Sequence, residues 1–268
     1  MRSRRHDFTV KRVSTPASVK TQDDLVRPFR EALTSKTRVL SMTHASNISG
    51  VQLPVSELCR LARERGILTL IDGAQSFGSL RVDLHAIGCD FYTGSAHKWL
   101  MGPKEAGVLY VRRERIAQLW PLIVGSGWSE ERQQDARKFE SLGQRDDPTL
   151  AAVGRAVQFH QSIGVDRVEG RIRELAAALK TELESIPGVR LKTPREPEFS
   201  AGVVIFSIAG VTPSAAAKYL YSKHRIGGGG LEGKFSGVRL CPNIYNTMEE
   251  IDRAVAAVKE LASKGIVG

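Results

Sequence analysis

Three short polar clusters carry the side chains of this chain that could do chemistry. Residues 43–47, 72–75 and 95–98 each follow an apolar stretch, and together they supply hydroxyls, amides, imidazoles, a carboxylate and a primary amine. An amine in its neutral form can attack a carbonyl carbon and form an imine. A carboxylate beside a ring nitrogen keeps that nitrogen protonated, so the ring can withdraw electrons from a bonded substrate. The combination indicates imine chemistry at a single site.

Lys98 is the candidate nucleophile. Taken alone, a lysine in a loop is usually a solvated surface residue. Lys98, however, follows an apolar stretch and is flanked by Trp99 and Leu100, so we expect partial burial that favours its neutral amine. In the same cluster, Ser95 offers a hydroxyl for a phosphate, and His97 could bind that phosphate or lie beside a cofactor.

Asp72, Gln75 and Asn47 are the candidate partners of an aromatic cofactor. Asp72 could instead cap a helix, and Asn47 could be an ordinary turn residue. As a cofactor ligand, a buried Asp72 would pair with the pyridine nitrogen of pyridoxal phosphate, which acts as an electron sink. Gln75 would reach the phenolic oxygen or a phosphate, and the Asn47 amide would donate to the phenolate oxygen. The residues alone leave both interpretations open.

Short strands separated by helices must position these clusters. Apolar stretches predict strands at residues 37–43, 67–71, 89–93 and 107–111, and helical spacing predicts a helix over residues 54–65. Continuous apolar strands that alternate with helices indicate an α/β sheet covered on both faces. In such sheets the polar residues just past the strand ends line the ligand crevice.

The second half of the chain differs in composition and predicts an α+β arrangement. It combines long helices with short strands, predicted at residues 150–163, 165–186, 189–192, 201–208, 213–223 and 237–241. A run of four glycines at residues 227–230 precedes the last of these strands. We therefore divide the chain into residues 1–148, part of a large cofactor-binding domain, and residues 149–268, a smaller C-terminal domain.

Four motifs carry a resemblance to a known family. Residues 90–100, which read Asp-Phe-Tyr-Thr-Gly-Ser-Ala-His-Lys-Trp-Leu, with Gly-Pro-Lys at 102–104, resemble the class V aminotransferase family of fold-type I pyridoxal-phosphate enzymes. Residues 41–50, 71–75 and 239–247 resemble three further motifs of that family. The resemblance implies a mainly parallel sheet covered by helices, with a smaller C-terminal α+β domain. It also implies a homodimer that transforms a small amino-acid substrate.

The resemblance also implies a role for each candidate residue. Lys98 forms a Schiff base with pyridoxal 5'-phosphate and later moves the α-proton of the substrate. Asp72 pairs with the pyridinium nitrogen, and Arg239 clamps the substrate carboxylate with its bidentate fork. Without the resemblance, Arg239 reads as a surface arginine at a strand edge. Asn47 and Gln75 contact the phenolic oxygen region of the cofactor. Ser95 and His97 bind its phosphate.

The chain departs from the family pattern in two places. Members carry a further segment ahead of the point where this chain starts, and that segment supplies a phosphate-binding turn and a ring that stacks on the cofactor. Residues 143–144 are Gly-Gln, where epimerase-like members have a glycine and a threonine whose hydroxyl reaches the phosphate in the other subunit. Transamination, epimerisation and lyase chemistry stay open, as does a truncated or non-catalytic remnant of the family.

Cysteine desulfurisation is disfavoured by the position of the cysteines. Desulfurases of this family carry a sulfur-accepting cysteine on the loop before the carboxylate-binding arginine, and residues 227–237 contain none. Cys241 falls inside a predicted strand, so we expect a packed core thiol.

Composition limits the partners. The chain has 39 basic and 29 acidic residues, a formal net charge of +10, but the basic residues are scattered among acidic ones, which disfavours nucleic-acid binding. No apolar run approaches the roughly 20 residues of a membrane span. Three widely spaced cysteines fit neither a disulfide framework nor a metal site, so we expect reduced thiols in the cytosol.

Overall fold

Helices and strands alternate through the first half of the chain. The computed structural model describes residues 6–16, 18–125, 128–140 and 143–265. The elements of the first half are α1 (Gln22–Ala32), β1 (Val39–Thr43), α2 (Val55–Arg63), β2 (Leu68–Asp72), α3 (Leu84–Ile87), β3 (Phe91–Ser95), β4 (Gly107–Val111) and α4 (Arg113–Ile116). Two 3-10 segments follow, Glu130–Gln134 and Ala136–Glu140.

The second half contains longer helices and a second set of strands. Its elements are α5 (Asp147–Ile163), α6 (Val165–Glu184), β5 (Val189–Leu191), β6 (Val204–Ile208), α7 (Pro213–His224), β7 (Gly229–Leu231), the 3-10 turn Gly233–Phe235, β8 (Gly237–Leu240) and α8 (Met248–Lys264). The short strand β7 falls in the glycine run, where the sequence predicted no strand. It forms because Gly229 and Gly230 pair with Arg239 and Val238 of β8.

The first sheet is mostly parallel, which confirms the predicted α/β class. Its strand order is β1-β2-β3-β4. β1, β2 and β3 run parallel, whereas β4 runs antiparallel to β3. Residues 96–106, which join β3 to β4, contain no helix. A parallel connection needs a longer crossover, usually through a helix, so this short connection returns the chain in the opposite direction.

The second sheet is antiparallel and has its own hydrophobic core. Its strand order is β5-β6-β8-β7, and α6 and α8 supply many of the apolar side chains packed against it. A separate core joins α1 and α2 to β1, β2 and β3. A third, smaller cluster combines Trp99 of the first half with Val168, Ile172, Val203 and Ile205 of the second half. The division at residue 148 remains a prediction.

Several helices begin at local capping signals. At the start of α1, Thr21 and Asp24 form a capping box, and Thr247 and Glu250 form another at the start of α8. Such side chains satisfy backbone N–H groups that have no partner within the helix. Among the helices of the described ranges, none has the length and apolar character needed to cross a membrane.

Candidate active site

The three polar clusters meet at one edge of the first sheet. In the strand register Thr43 lies beside Asp72, and Asp72 lies beside Thr93. The backbone N–H of His44 donates to the Asp72 carbonyl at 2.8 Å, and that of Gly73 donates to the Thr93 carbonyl at 2.7 Å. The parallel pairing therefore continues past the strand ends and holds the three following loops side by side.

Lys98 lies on a compact loop between β3 and β4. The ends of the loop are joined by the Ala96 N–H, which donates to the Ala106 carbonyl at 3.0 Å. Within it, the Met101 N–H donates to the Lys98 carbonyl at 3.0 Å, and Met101 has a left-handed φ of 60°. Lys98 is exposed, so the expectation of partial burial is wrong. Its side chain leaves a surface turn, while the neighbours Trp99 and Leu100 are buried.

Asp72 is the last residue of β2, and its carboxylate is anchored locally. Its Oδ1 accepts a hydrogen bond from the Ala74 N–H at 2.9 Å. The side chain is exposed, so the expectation of a buried aspartate is also wrong. The residue lies where β2 ends, and burial alternates along the strand until this open edge. Oδ2 of Asp72 has no hydrogen-bond partner within the described part of the chain.

Gln75 is tied to the residue after Lys98. Its Oε1 accepts a hydrogen bond from Trp99 Nε1 at 2.9 Å. The turn that carries Gln75 packs on β3, because the hydroxyls of Ser76 and Tyr92 lie 3.0 Å apart. A β-carbon at Gly73 would lie 2.0 Å from the Tyr92 ring, so glycine is required for this close approach. Residues 72–75 and the Lys98 loop thus form one braced unit.

Ser95 and His97 flank the base of the Lys98 loop. Ser95 is half-buried and pairs with Gly107 at the end of β3. His97 is exposed, and its Nδ1 lies 3.1 Å from the Ala106 carbonyl. That contact requires a proton on Nδ1. In the neutral imidazole, Nε2 is then an acceptor, and in the charged ring it is a donor.

Arg239 of β8 links the second sheet to the loop that contains Asn47. Its Nη1 donates to the Asn47 backbone carbonyl at 3.2 Å, and the Asn47 side chain is exposed. The same loop is held by Thr193, whose hydroxyl donates to the Ser49 carbonyl at 3.0 Å. A β-carbon at Gly229 would lie 3.4 Å from Arg239 Nη2. The absence of a side chain at this position leaves room beside the guanidinium.

His44 is a buried polar residue whose burial the sequence did not reveal. It is 6% exposed, and its Nδ1 has no hydrogen-bond partner among the residues that the structure describes. Burial lowers the pKa of the His44 imidazole to about 4, although the Glu169 carboxylate opposes that shift. The imidazole is therefore neutral at pH 7. His44 is the first residue after the end of β1. The sequence shows that His44 follows an apolar strand. Its burial depends on packing by residues from the second half of the chain, which the local pattern does not show.

Cys241 and Gln144 both lie at the surface. Cys241 follows the end of β8, so the expectation that it lies inside the strand is wrong. The residue as a whole is exposed, whereas burial raises the pKa of its thiol to about 11. The strand ends one residue earlier, and Pro242 begins the next segment. Gln144 is exposed as well, and its contact with a second subunit remains a prediction.

Comparison with known proteins identifies the family to which this chain is similar. The family model for aminotransferase class-V matches residues 3–254. Isopenicillin N epimerase of Amycolatopsis lactamdurans is 34% identical over 254 residues, which cover 90% of this chain and 64% of that protein. A probable cysteine desulfurase of Xylella fastidiosa strain 9a5c is 33% identical over 252 residues, covering 84% of this chain and 57% of the relative.

A solved structure has the same fold. It is a lysine-to-alanine mutant of C-DES with glycine covalently linked to the PLP cofactor, and it matches with a TM-score of 0.79 at 25% identity. The match covers 87% of this chain and 63% of that one. The chain therefore spans less than two thirds of the length of these relatives. Its fold is that of the fold-type I enzymes, and the chain belongs to the aminotransferase class-V family.

Proposed function

We propose that this chain binds pyridoxal 5'-phosphate through Lys98 and transforms an amino-acid substrate. One observation carries the proposal: the Lys98 loop, Asp72 and Gln75 share one sheet edge, and Arg239 reaches the same edge from the other sheet. The family supports the cofactor, since its C-DES relative was solved with glycine linked to PLP. Two relatives named for different reactions, an epimerase and a desulfurase, leave the reaction type open.

The residues present fit this cofactor chemically. Lys98 supplies an accessible amine, the group that links to an aldehyde. Asp72 retains an oxygen, Oδ2, for a ring nitrogen, because only Oδ1 is engaged by the Ala74 N–H. For a phosphate, the half-buried Ser95 offers a hydroxyl donor and His97 a ring nitrogen. When bound, the cofactor supplies an electron-withdrawing ring.

Each residue then has a distinct task. Asp72 holds a proton on the ring nitrogen by placing a negative charge beside it. Lys98 anchors the cofactor and afterwards holds or releases a proton at its Nζ. Arg239 binds the α-carboxylate of the substrate. Its Nη1 donates to the Asn47 carbonyl, and its Nη2 and Nε lie beside Gly229, where no side chain blocks the approach of a carboxylate. Asn47 and Gln75 supply amides for the phenolic oxygen.

The proposal is tested by cofactor binding and substrate response. Pyridoxal phosphate is added to the chain, absorbance is recorded, and amino acids are then screened for spectral change. Lys98→Ala should abolish the imine band and turnover, while the matched control Lys104→Ala, an exposed lysine on the same loop, should keep both. A spectrum without any imine band in the unaltered chain would instead favour a non-catalytic remnant. Full activity of Lys98→Ala would overturn the assignment.

Cysteine desulfurisation remains a second, disfavoured candidate. Several relatives carry that name, but the connection at residues 227–237 has no cysteine. The exposed Cys241 follows Arg239 by two positions, so it is the thiol to examine. If the chain releases sulfur from cysteine and Cys241→Ser stops that release, desulfurase function with Cys241 as the sulfur acceptor is supported. Sulfur release unaffected by the substitution would exclude Cys241 as the acceptor.

The proposal extends to assembly and location. We propose a homodimer, as the family resemblance implies, and a cytosolic location, which the three widely spaced cysteines favour. Light scattering coupled to size-exclusion chromatography measures the mass, and a monomer of 29.4 kDa would contradict the dimer. No nucleic-acid or membrane partner is part of the proposal.

A further inference from the structure

The contact between Trp99 and Gln75 fixes the direction of an amide in the candidate active site. Trp99 Nε1 donates to Gln75 Oε1 at 2.9 Å. An indole N–H can only donate a hydrogen bond, so it selects the oxygen end of the amide. The amide nitrogen of Gln75 must then point away from Trp99. A glutamine without such a partner can present either end to a ligand.

The indole ring is itself held firmly in place. Trp99 is 5% exposed and belongs to a cluster with Val168, Ile172 and Val203. A β-carbon at Gly202 would lie 2.5 Å from Trp99 Cη2, so the ring fills the space that this glycine leaves open. Side chains in such close-packed surroundings stay in one rotamer. The direction of the indole N–H is therefore set by residues of the second half of the chain.

The backbone of Gln75 is fixed as well. Its carbonyl accepts a hydrogen bond from the Ser79 hydroxyl at 2.7 Å. The adjacent Ser76 is held against Tyr92 through their hydroxyls. Because the carbonyl and Oε1 of Gln75 are both engaged, the group that its side chain can offer to a ligand is the amide N–H.

We propose that Trp99 is a positioning residue that makes Gln75 a hydrogen-bond donor to the phenolic oxygen of the cofactor. This role rests on the proposed function, because it concerns the same site. A donor stabilises an ionised oxygen relative to its protonated form. Trp99 touches neither cofactor nor substrate in this proposal, and it acts only through the Gln75 amide.

The test compares pyridoxal-phosphate binding by the unaltered chain, Trp99→Phe and Trp120→Phe. Phenylalanine retains an aromatic ring but has no N–H. We expect Trp99→Phe to raise the dissociation constant about threefold to tenfold, the effect of one neutral hydrogen bond. The pH midpoint of the visible absorption band should also move upward. Trp120 is 62% exposed and contacts Trp128, so Trp120→Phe is the matched control and should change neither.

A double-mutant cycle separates positioning from packing. If Trp99 acts through Gln75, Trp99→Phe should add nothing to the effect of Gln75→Ala. Equal effects of Trp99→Phe with and without Gln75 would overturn this role and leave the proposed function intact. If the unaltered chain binds no pyridoxal phosphate, the proposed function fails and this role fails with it.

The hydrogen bond can also be measured without the cofactor. In a nitrogen-15 NMR spectrum, the Trp99 indole N–H should exchange slowly with solvent, and Gln75→Ala should shift its resonance. The Trp120 indole resonance is the internal control and should stay in place. An unshifted Trp99 resonance would show that the contact does not form in solution and would overturn the inference.

Discussion

His44 should make the stability of the chain fall steeply in mild acid. The imidazole is buried, and its Nδ1 has no hydrogen-bond partner in the described ranges of the chain. Burial lowers its pKa to about 4, from about 6.5 for an exposed histidine. Between these two values the unfolded chain binds a proton at His44 and the folded chain does not. Stability therefore decreases as the pH falls from 6.5 towards 4, and the loss is complete below the folded-state pKa.

The size of this effect follows from the shift. Each unit of pKa difference corresponds to about 1.36 kcal/mol, so acidification from pH 7 to pH 4.5 should cost about 2 to 3 kcal/mol through His44 alone. His44→Leu removes the titrating group and retains an apolar side chain. The substitution should therefore remove most of this pH dependence, whatever its effect on stability at pH 7.

Urea unfolding at pH 7, 5.5 and 4.5 provides the assay. The free energy of unfolding of His44→Leu should rise relative to the unaltered chain by about 2 to 3 kcal/mol between pH 7 and pH 4.5. His85→Leu, at an exposed position of α3, is the control and should parallel the unaltered chain. If the curves of His44→Leu and the unaltered chain also run parallel, the folded imidazole takes up its proton normally, and the argument from burial is refuted.

Three further predictions concern single side chains. Lys180, whose Nζ donates to the Arg195 carbonyl at 2.9 Å and the Ser200 hydroxyl at 2.8 Å, has a pKa lowered to about 8 by burial. As the pH rises, the folded chain therefore loses this proton before the unfolded chain does, and folding becomes more favourable. The loss of stability caused by Lys180→Met, measured by urea unfolding, should therefore grow from pH 8 to pH 10. A loss of stability that stays constant over this range would contradict the lowered pKa. Arg239→Ala should raise KM for carboxylate substrates about tenfold to a hundredfold, and an equal effect on decarboxylated analogues would exclude a carboxylate clamp. Asp72→Ala should lower kcat while the circular dichroism spectrum stays unchanged, and an unaltered rate would remove its role at the ring nitrogen.

Local sequence signals predicted the elements well. Most predicted helices and strands lie within about three residues of the observed ones, the uncertainty expected for boundaries. The sequence did not predict whether β4 runs parallel or antiparallel to β3, because an apolar strand of five residues has the same pattern in either direction. The strand β7 was missed because glycine has no side chain to carry a strand pattern, and the strand is defined by its pairing with β8.

The candidate site was predicted by residue type but not by environment. Lys98 and Asp72 lie at the predicted sheet edge, yet both are exposed, because strand-end burial depends on what covers that edge. The bond from Trp99 to Gln75 joins two of the predicted clusters, and it could not be derived from spacing. The same holds for the contact of Arg239 with the Asn47 carbonyl, which joins the two halves of the chain.

Chemical trapping can establish whether Lys98 anchors pyridoxal phosphate. The chain is incubated with pyridoxal phosphate, reduced with borohydride, digested and mapped by mass spectrometry. We expect an absorption band typical of an imine and a reduced adduct on the peptide that carries Lys98. An adduct confined to another lysine, or no adduct at all, would show that Lys98 does not anchor the cofactor.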